Sequence, residues 1–399
     1  MTVYLDCYAT TPLEPRVRAE ILHYLTEDYG NPSSRYHAFA TVAKKAVRKA
    51  RHQVAAVFDT KPDGVIFTSG ATEANNLAIF GLAPHGEANQ KRHIISSQIE
   101  HRSVLEPLSV LGDNGFEVEL LPCTGGGWVD PEALKKALRP DTLLVSIMHV
   151  NNETGVIQPV MEFVQALSDH PAFLHLDASL GTGLAYKSLQ HERIDMISLS
   201  SHKLFGPKGV GALVCRRRGV VKPPLTPLMY GGGQERGLRP GTLPVPLIAG
   251  FGLAVELAMH WRRERQKRCL EFREKLLQVL TPLAPILVGD RERSMPDALS
   301  VCFPTLRAED IIVALQPELI LSAGGDDMAS EHGTSHVLSA MGIAAEVARG
   351  FLRFSWSYMT EDPKWEVVSE TFKHLLANPP DQFVGAQAAA ASATPETPQ

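Results

Sequence analysis

Short apolar runs alternate with longer amphipathic stretches through the first two thirds of the chain. The short runs have the length of buried strands and cover 64–68, 93–97, 118–121, 143–148, 173–176, 196–199 and 210–215. Stretches between them repeat their apolar residues at helical spacing, and these cover 72–79, 101–111, 131–138 and 160–168. Because strands that alternate with helices form βαβ units, we predict an α/β fold built on a seven-stranded, mostly parallel sheet.

The pattern changes near residue 250. A charged helical stretch over 253–279 leads into a region that mixes short strands, at 299–303 and 352–354, with helices. We therefore predict a second, smaller α+β domain. The expected division is an N-terminal segment over 1–13 that packs with the small domain and the active site, a large domain over 14–255, a small domain over 256–377 and a disordered, low-complexity tail over 378–399.

Composition narrows the classes of partner. The formal net charge of -5 gives no basic surface for nucleic acid. The longest apolar stretch, 243–259, is interrupted by Pro244, Pro246 and Glu256, so we expect no membrane span. Five widely spaced cysteines form no disulfide framework or metal-ligand pattern, and we predict no metal and a cytoplasmic protein. These cysteines are Cys7, Cys123, Cys215, Cys269 and Cys302.

A lysine lies in a polar turn between two strand-like runs. Lys203 follows Ser200, Ser201 and His202, and the glycines and proline over 206–209 restrict the backbone after it. A lysine in a rigid turn can form a Schiff base with an aldehyde cofactor whose phosphate is bound by the neighbouring Ser and His. In isolation, Ser-x-x-Lys is more typical of a solvated loop.

Other polar groups follow the remaining strands. A Gly-containing turn at 68–76 leads into a helix and offers N–H groups and the Thr72 hydroxyl to a phosphate. His101 can stack on a flat ring or move protons, and Asp177 ends an apolar strand where a protonated pyridine nitrogen can neutralise it. Taken singly, these residues also fit a helix cap, a structural histidine and an ordinary strand end.

Two loops complete the pattern. The loop over 150–155 carries mostly neutral hydrogen-bonding groups, which a plain polar turn also explains. The Gly-rich, basic loop over 231–242 can close over an anion. Together with the lysine, the histidine, the aspartate and the phosphate turn, these groups predict a site for pyridoxal 5′-phosphate.

The motifs resemble those of the cysteine desulfurases, which are class V of the fold-type-I pyridoxal-phosphate enzymes. The resemblance runs from the segment Tyr-Leu-Asp-Cys-Tyr-Ala-Thr-Thr-Pro at 4–12 to Arg-Phe-Ser at 353–355. Its most specific parts are Ser-x-His-Lys at 200–203 with Gly-Pro-Lys-Gly at 206–209, and Gly-Gly-Gln-Glu-Arg at 232–236 with Arg-x-Gly-Thr at 239–242. It implies a fold-type-I transferase or lyase that cleaves the C–S bond of L-cysteine, or of a related amino acid, through an external aldimine. It also implies a homodimer with sites near the interface, and a sulfur-acceptor protein as a candidate partner.

The resemblance also assigns residues. Lys203 is the expected Schiff-base lysine, Asp177 the partner of the pyridine nitrogen, and His101 a catalytic residue that stacks on the ring. The expected phosphate ligands are Thr72, Ser200 and His202, with Thr242 from the other subunit. Ala71 is a further expected cofactor-binding residue. Asn152 is assigned to both cofactor and substrate, while Asn31 and Arg353 are assigned to the substrate, whose carboxylate suits the planar fork of an arginine.

Two positions depart from the family pattern. Leu180 stands where the family has a Gln bonded to the phenolic oxygen of the cofactor, which removes one polar contact. Asp327 stands at the position of the sulfur-accepting Cys, and no Cys follows Cys302. A carboxylate cannot form a persulfide, although it can act as a general acid or base. The Asp326–Asp327 pair fits a solvated acidic loop tip equally well.

Three interpretations follow. In the first, the enzyme cleaves the Cβ–S bond of cysteine, and Cys7 is the candidate thiol if a persulfide forms, although a small apolar Cys also packs well in a core. In the second, Asp327 serves a lyase, decarboxylase or aminotransferase reaction on another amino acid. In the third, the chain is a non-catalytic scaffold. The joint presence of Lys203, Asp177, His101 and Arg353 argues against the scaffold, since it needs none of them.

Overall fold

The computed structural model describes residues 2–324 and 335–379. Asp326 and Asp327 lie outside the described residues, as does most of the tail predicted over 378–399. Within the described ranges, no helix is both long enough and apolar enough to cross a membrane.

The larger lobe is built on a seven-stranded sheet. After the N-terminal strand β1 (Val3–Tyr4), its strands are β2 (Val65–Thr68), β3 (His93–Ser97), β4 (Glu117–Leu121), β5 (Thr142–Met148), β6 (Phe173–Asp177), β7 (Met196–Ser200) and β8 (Gly211–Cys215). Their order across the sheet is β2-β8-β7-β6-β5-β3-β4. Strand β8 runs opposite to the other six, so its pairings with β2 and β7 are antiparallel and the remaining pairings are parallel. The predicted seven-stranded, mostly parallel sheet is confirmed.

Helices cover both faces of this sheet. Those of the larger lobe are α1 (Pro15–Thr26), α2 (Ala38–Val57), α3 (Ala71–Ala88), α4 (Arg102–Asp113), α5 (Pro131–Ala137), α6 (Val160–Ala166) and α7 (Val245–His260). Sheet residues divide between two apolar cores, one containing Phe67 and Leu199 and the other Ile66 and Leu213. Six of the seven strands are buried on both sides, which explains why they read as continuous apolar runs, whereas β4 at the edge of the sheet is largely exposed.

The helical stretch predicted over 253–279 is two helices. Helix α7 ends at His260, and α8 (Arg262–Leu280) begins after Trp261, whose backbone leaves helical geometry. Ala258 packs in the core of the larger lobe, whereas Cys269 packs in that of the smaller one. The predicted boundary after residue 255 therefore falls inside α7, and we propose that the division lies at Trp261.

The smaller lobe mixes strands and helices. Its elements are β9 (Ile286–Val288), β10 (Ala298–Cys302), α9 (Ala308–Leu315), β11 (Leu319–Ile320), α10 (His336–Ala340), α11 (Ala345–Ala348), β12 (Phe351–Ser355) and α12 (Trp365–Ala377). Strand β10 lies between β12 and β9 in an antiparallel sheet. This α+β character agrees with the sequence-based prediction.

The N-terminal segment connects the two lobes. Strand β1 pairs in parallel with β11, and the Cys7 N–H donates to the Ser355 carbonyl at 3.0 Å. Further along, the Thr11 N–H donates to the His202 carbonyl at 3.0 Å, beside the lysine turn. The first residues of the chain therefore cross from the smaller lobe to the carboxyl ends of the central strands.

Candidate active site

A cavity of about 620 Å³ lies beyond the carboxyl ends of the central strands. In a parallel sheet, these ends are where loops present side chains and helix N-termini to a ligand. The cavity brings together nine of the residues singled out from the sequence. They are Ala71, Thr72, His101, Asn152, Asp177, Ser200, His202, Lys203 and Arg353.

Lys203 ends a short turn that follows β7. The turn covers Ser201–Lys203, and residues on its far side take left-handed backbone angles, with φ of 64° at Phe205 and 84° at Gly209. A Cβ at Gly206 would collide with the Ser201 side chain. The Lys203 ammonium donates to the carbonyl of Tyr8 and, at 2.9 Å, to that of Ala9. The N-terminal segment thus positions the amine at the cavity wall.

The first turn of α3 faces the same cavity. Its N-cap residue, Gly70, makes no side-chain cap, so the first-turn N–H groups remain for an anion. Ser200 and His202 line the same cavity, and burial together with the nearby Lys203 and Lys208 lowers the pKa of His202 to about 4. His202 is therefore neutral at pH 7 and contributes hydrogen bonds rather than charge. Lys208, which we did not predict as a ligand, adds a cation to the cavity wall.

Asp177 presents a carboxylate at the end of β6. It is only 7% exposed and accepts hydrogen bonds on both oxygens. Asn75 Nδ2 donates to Oδ2 at 2.7 Å, while the Ser179 N–H donates to Oδ1 at 2.9 Å and the Ser179 hydroxyl donates to the same oxygen. These donors satisfy both oxygens and fix the orientation of the carboxylate. A protonated ring nitrogen would give this buried carboxylate a positively charged partner.

His101 caps the N-terminus of α4. Its Nδ1 accepts the Ser103 N–H at 3.0 Å and lies 2.7 Å from the Ser103 hydroxyl. The Ser103 hydroxyl also accepts a hydrogen bond from Asn75 Nδ2 at 2.8 Å. Neither Asn75 nor Ser103 was predicted. The sequence gives no signal for Asn75, because its neighbours Glu73 and Asn76 are polar as well.

Arg353 enters the cavity from β12. Its guanidinium is 4% exposed, and Nη1 donates to the Asn152 carbonyl at 2.8 Å. Nη2 makes an ion pair with Asp6 Oδ1 at 2.6 Å. Two fixed partners therefore hold the planar fork in one orientation, as recognition of a carboxylate requires. Asp6 lies within the N-terminal motif, but its contact with Arg353 was not predicted.

Asn31 and Thr242 lie elsewhere. Both line a separate cavity of about 260 Å³, with Tyr29 and Pro244. An ion pair links the Gly-rich loop over 231–242 to α3, whose first turn faces the cavity, because Arg239 Nε donates to Glu73 Oε1 at 3.0 Å. Within one chain, the structure does not place Asn31 or Thr242 at the Lys203 cavity. A contact from a second subunit stays a prediction for Thr242.

None of the five thiols lines the Lys203 cavity among the described residues. Cys7 is buried and faces a smaller neighbouring cavity of about 50 Å³, which Cys269 also lines. Burial and the nearby Asp297 raise the pKa of Cys7 to about 12. Nucleophilic attack needs a thiolate, so this environment argues against the predicted catalytic role of Cys7. The sequence offers no replacement, since residues 325–334 contain no Cys.

Leu180 forms part of the apolar wall of the cavity. It packs with Tyr8, Val150, Met295 and Ala298 in one cluster and reaches both cavities. At this position the chain offers no hydrogen-bond donor to a bound ring.

Glu100 is buried just behind the site. Its Oε1 accepts the Ser97 hydroxyl at 2.5 Å and the Met148 N–H at 2.9 Å. Oε2 finds no hydrogen-bond partner within the described ranges. Burial, with a smaller contribution from Asp177, raises the pKa of Glu100 to about 8. The side chain is therefore a neutral acid at pH 7, a state that the sequence did not indicate.

The donor set fits pyridoxal 5′-phosphate. A primary amine for the aldehyde, a buried carboxylate for the ring nitrogen, an imidazole for the ring face and an uncapped helix turn for the phosphate all line one cavity. At Leu180, where the family resemblance predicts a donor to the phenolic oxygen, the chain offers an apolar side chain.

Comparisons with known proteins agree with this chemistry. The family model described as aminotransferase class-V matches residues 3–362. A mitochondrial cysteine desulfurase of Arthroderma benhamiae is 42% identical over 376 residues, which is 94% of this chain and 74% of that protein. The structure of a NifS-like protein superposes with a TM-score of 0.87 at 37% identity, covering 94% of this chain and 100% of the other. That of SspA in complex with cysteine gives a TM-score of 0.78 at 34% identity, covering 89% and 98%.

Proposed function

Because the chain belongs to the cysteine desulfurases of the aminotransferase class-V family, we propose that it cleaves the Cβ–S bond of L-cysteine. It is a pyridoxal-phosphate enzyme of the desulfurase type. One observation carries the proposal: Lys203, Asp177, His101 and Arg353 line a single cavity. The relative crystallised with cysteine supports the choice of substrate.

Each cavity residue has a role in this proposal. Bound pyridoxal 5′-phosphate supplies an electron-withdrawing ring that stabilises negative charge next to the substrate nitrogen. Lys203 binds its aldehyde, and Asp177 keeps its ring nitrogen protonated. Arg353 binds the substrate carboxylate and so orients the side chain of the amino acid. His101 lies where it can hold or move a proton on the ring face.

The fate of the sulfur follows from the thiols. Four of the five cysteines are buried, and Cys123, which is partly exposed, does not line the cavity. We therefore propose that no thiol of this chain accepts the sulfur. An external thiol would attack it instead, so that cysteine and a thiol RSH yield alanine and a persulfide RSSH. A sulfur-acceptor protein that supplies its own Cys is the partner of matching chemistry.

A second candidate reaction is β-elimination. The absence of Cys from the cavity lining favours it, since elimination needs only general acid–base groups. Cysteine and water would then yield pyruvate, ammonia and sulfide. Asp327 stays a predicted acid or base for this reaction, and it lies outside the described residues.

One experiment separates these reactions. The purified protein is incubated with L-cysteine and dithiothreitol, and alanine, pyruvate and sulfide are measured together. We expect alanine with sulfide in wild type and in Cys7→Ala, and neither product in Lys203→Ala. Loss of alanine in Cys7→Ala would contradict the external acceptor, whereas pyruvate in place of alanine would identify elimination. If cysteine changes the cofactor spectrum but yields no product, the desulfurase proposal fails.

We also propose a homodimer. Thr242 and Asn31 lie away from the Lys203 cavity of their own chain, in a region with exposed apolar side chains that include Leu25, Tyr29 and Tyr36. Thr242→Ala should then weaken cofactor binding without a change in the chain's own cavity, which a titration with pyridoxal 5′-phosphate measures. A cytoplasmic location stays a prediction, since one relative is named mitochondrial.

A further inference from the structure

A chain of hydrogen bonds joins the two ring-binding residues of the proposed site. Asn75 is fully buried one turn into α3, and its Nδ2 lies 2.7 Å from Asp177 Oδ2 and 2.8 Å from the Ser103 hydroxyl oxygen. The Ser103 hydroxyl lies 2.7 Å from His101 Nδ1. Asp177 and His101 are thus linked through two side chains that themselves need not touch the cofactor.

The chemistry of the groups sets the direction of this chain. An ionised carboxylate only accepts hydrogen bonds, so the Asn75 atom beside Asp177 must be the amide nitrogen. The second hydrogen of that nitrogen points to the Ser103 oxygen, which accepts it. The single Ser103 hydroxyl hydrogen is then left for His101 Nδ1, which must be an unprotonated acceptor.

A separate contact supports the same assignment. The Ser103 N–H donates to His101 Nδ1 at 3.0 Å, and this bond also needs a bare nitrogen. A neutral His101 therefore carries its proton on Nε2. Since His101 lines the cavity and Nδ1 faces Ser103, Nε2 is the ring nitrogen left for groups inside the cavity.

We propose that Asn75 is a positioning residue for His101. Because Asn75 donates to both Asp177 and Ser103, the Ser103 hydroxyl donates to His101 Nδ1, and His101 presents an N–H donor at Nε2 to the cavity. This inference rests on the proposed function for the meaning of the two end residues. The hydrogen-bond chain itself does not depend on which reaction occurs. The opposite donor direction would place the proton on Nδ1, where it could not reach a substrate.

Two variants should reverse the donor direction of these hydrogen bonds. In Asn75→Asp, the new carboxyl group shares a proton with Asp177 and accepts the Ser103 hydroxyl, so the Ser103 oxygen becomes an acceptor for a proton on His101 Nδ1, and the Ser103 N–H loses its bond to that nitrogen. In Asp177→Asn, the amide nitrogen at position 177 donates to Asn75. The Asn75 side chain rotates, so that its oxygen faces both residue 177 and the Ser103 hydroxyl. The hydroxyl then donates to Asn75, and His101 Nδ1 again has to carry the proton.

The test is the nitrogen-15 spectrum of protein labelled on its histidine rings and saturated with pyridoxal 5′-phosphate. The chain has 15 histidines, and the difference spectrum against His101→Gln identifies the two signals of interest. We expect a protonated Nε2 and a bare Nδ1 in wild type, and an exchange of these two states in both Asn75→Asp and Asp177→Asn. Asn114→Asp, at the exposed far end of α4, is the matched control and should resemble wild type.

Wild-type protein with its proton on Nδ1 would overturn the proposal. So would unchanged His101 signals in Asp177→Asn, which tests the chain from its far end even if Asn75→Asp fails to fold. A failure of the desulfurase proposal is distinguishable, because it appears in the product assay and leaves the ring-proton signals unaffected.

Discussion

Glu100→Gln tests the buried acid behind the site. Glu100 is 0% exposed and has a pKa raised from 4.5 to about 8, mainly by burial. Because the folded-state pKa lies above the unfolded one, the folded protein holds one extra proton between pH 4.5 and 8. The contribution of this group to the free energy of unfolding is fully present below pH 4.5 and is lost as the pH rises from 4.5 to 8. The slope is about 1.4 kcal/mol per pH unit.

Glutamine keeps the shape of the neutral acid and cannot ionise. Its oxygen can still accept the Ser97 hydroxyl and the Met148 N–H. We therefore expect the variant's free energy of unfolding to be close to that of wild type at pH 5. As the pH rises it should exceed the wild-type value, by about 3 kcal/mol at pH 7.5. Urea unfolding followed by circular dichroism, at one protein concentration and at pH 5.0, 6.0, 7.0 and 7.5, measures this difference.

The control is Glu106→Gln, which removes an exposed carboxylate from α4 and its ion pair with Arg102. A stability difference for Glu100→Gln that is the same at every pH would refute the reasoning, since it would mean that Glu100 does not change its charge over this range. A difference that shrinks as the pH rises would show an ionised Glu100 stabilised by partners that the structure does not contain.

Three further predictions concern the site and its surroundings. Leu180→Gln adds a donor near the phenolic oxygen, stabilises its ionised form and should lower the pKa of the bound cofactor's absorbance change by about one unit, as a spectral pH titration would show. Arg353→Lys loses the planar fork and should raise KM for L-cysteine about tenfold to hundredfold, from about 1.5–3 kcal/mol for a hydrogen bond to a charged group, while an unchanged KM would rule out carboxylate binding. Burial lowers the pKa of His149 to about 4, so its contribution, present above pH 6.5, is lost as the pH falls towards 4. His149→Gln should then remove about 2 kcal/mol of the stability that wild type loses between pH 7 and pH 4.5, as unfolding at these two pH values would measure.

Six of the seven strands of the sheet were predictable because they are buried on both faces. Continuous apolar runs can be recognised from the local sequence alone, and each predicted run matches a strand to within one or two residues. The break between α7 and α8 was not predictable in this way. No Gly or Pro marks Trp261, and the helix is interrupted because residues on its two sides pack in different lobes.

The same distinction holds in the site. Lys203, Asp177 and His101 could be predicted because each directly follows a strand or lies in a tight turn, where local sequence indicates position. Asn75 acts through a hydrogen bond to Asp177, which lies 102 residues further along the chain. The burial of Cys7 depends on the smaller lobe closing over it. Such contacts are set by tertiary packing, which a local pattern does not contain.

The path of the N-terminal segment has a consequence for biosynthesis. Asp6 is bonded to Arg353, 347 residues later, and β1 pairs with Leu319 and Ile320. During translation the central sheet can therefore form while the first residues still lack their partners. The contacts of the first residues with the smaller lobe can form only after residues 319–353 have left the ribosome, so nascent chains that stop before Arg353 should lack the ion pair that holds the Asp6 carboxylate.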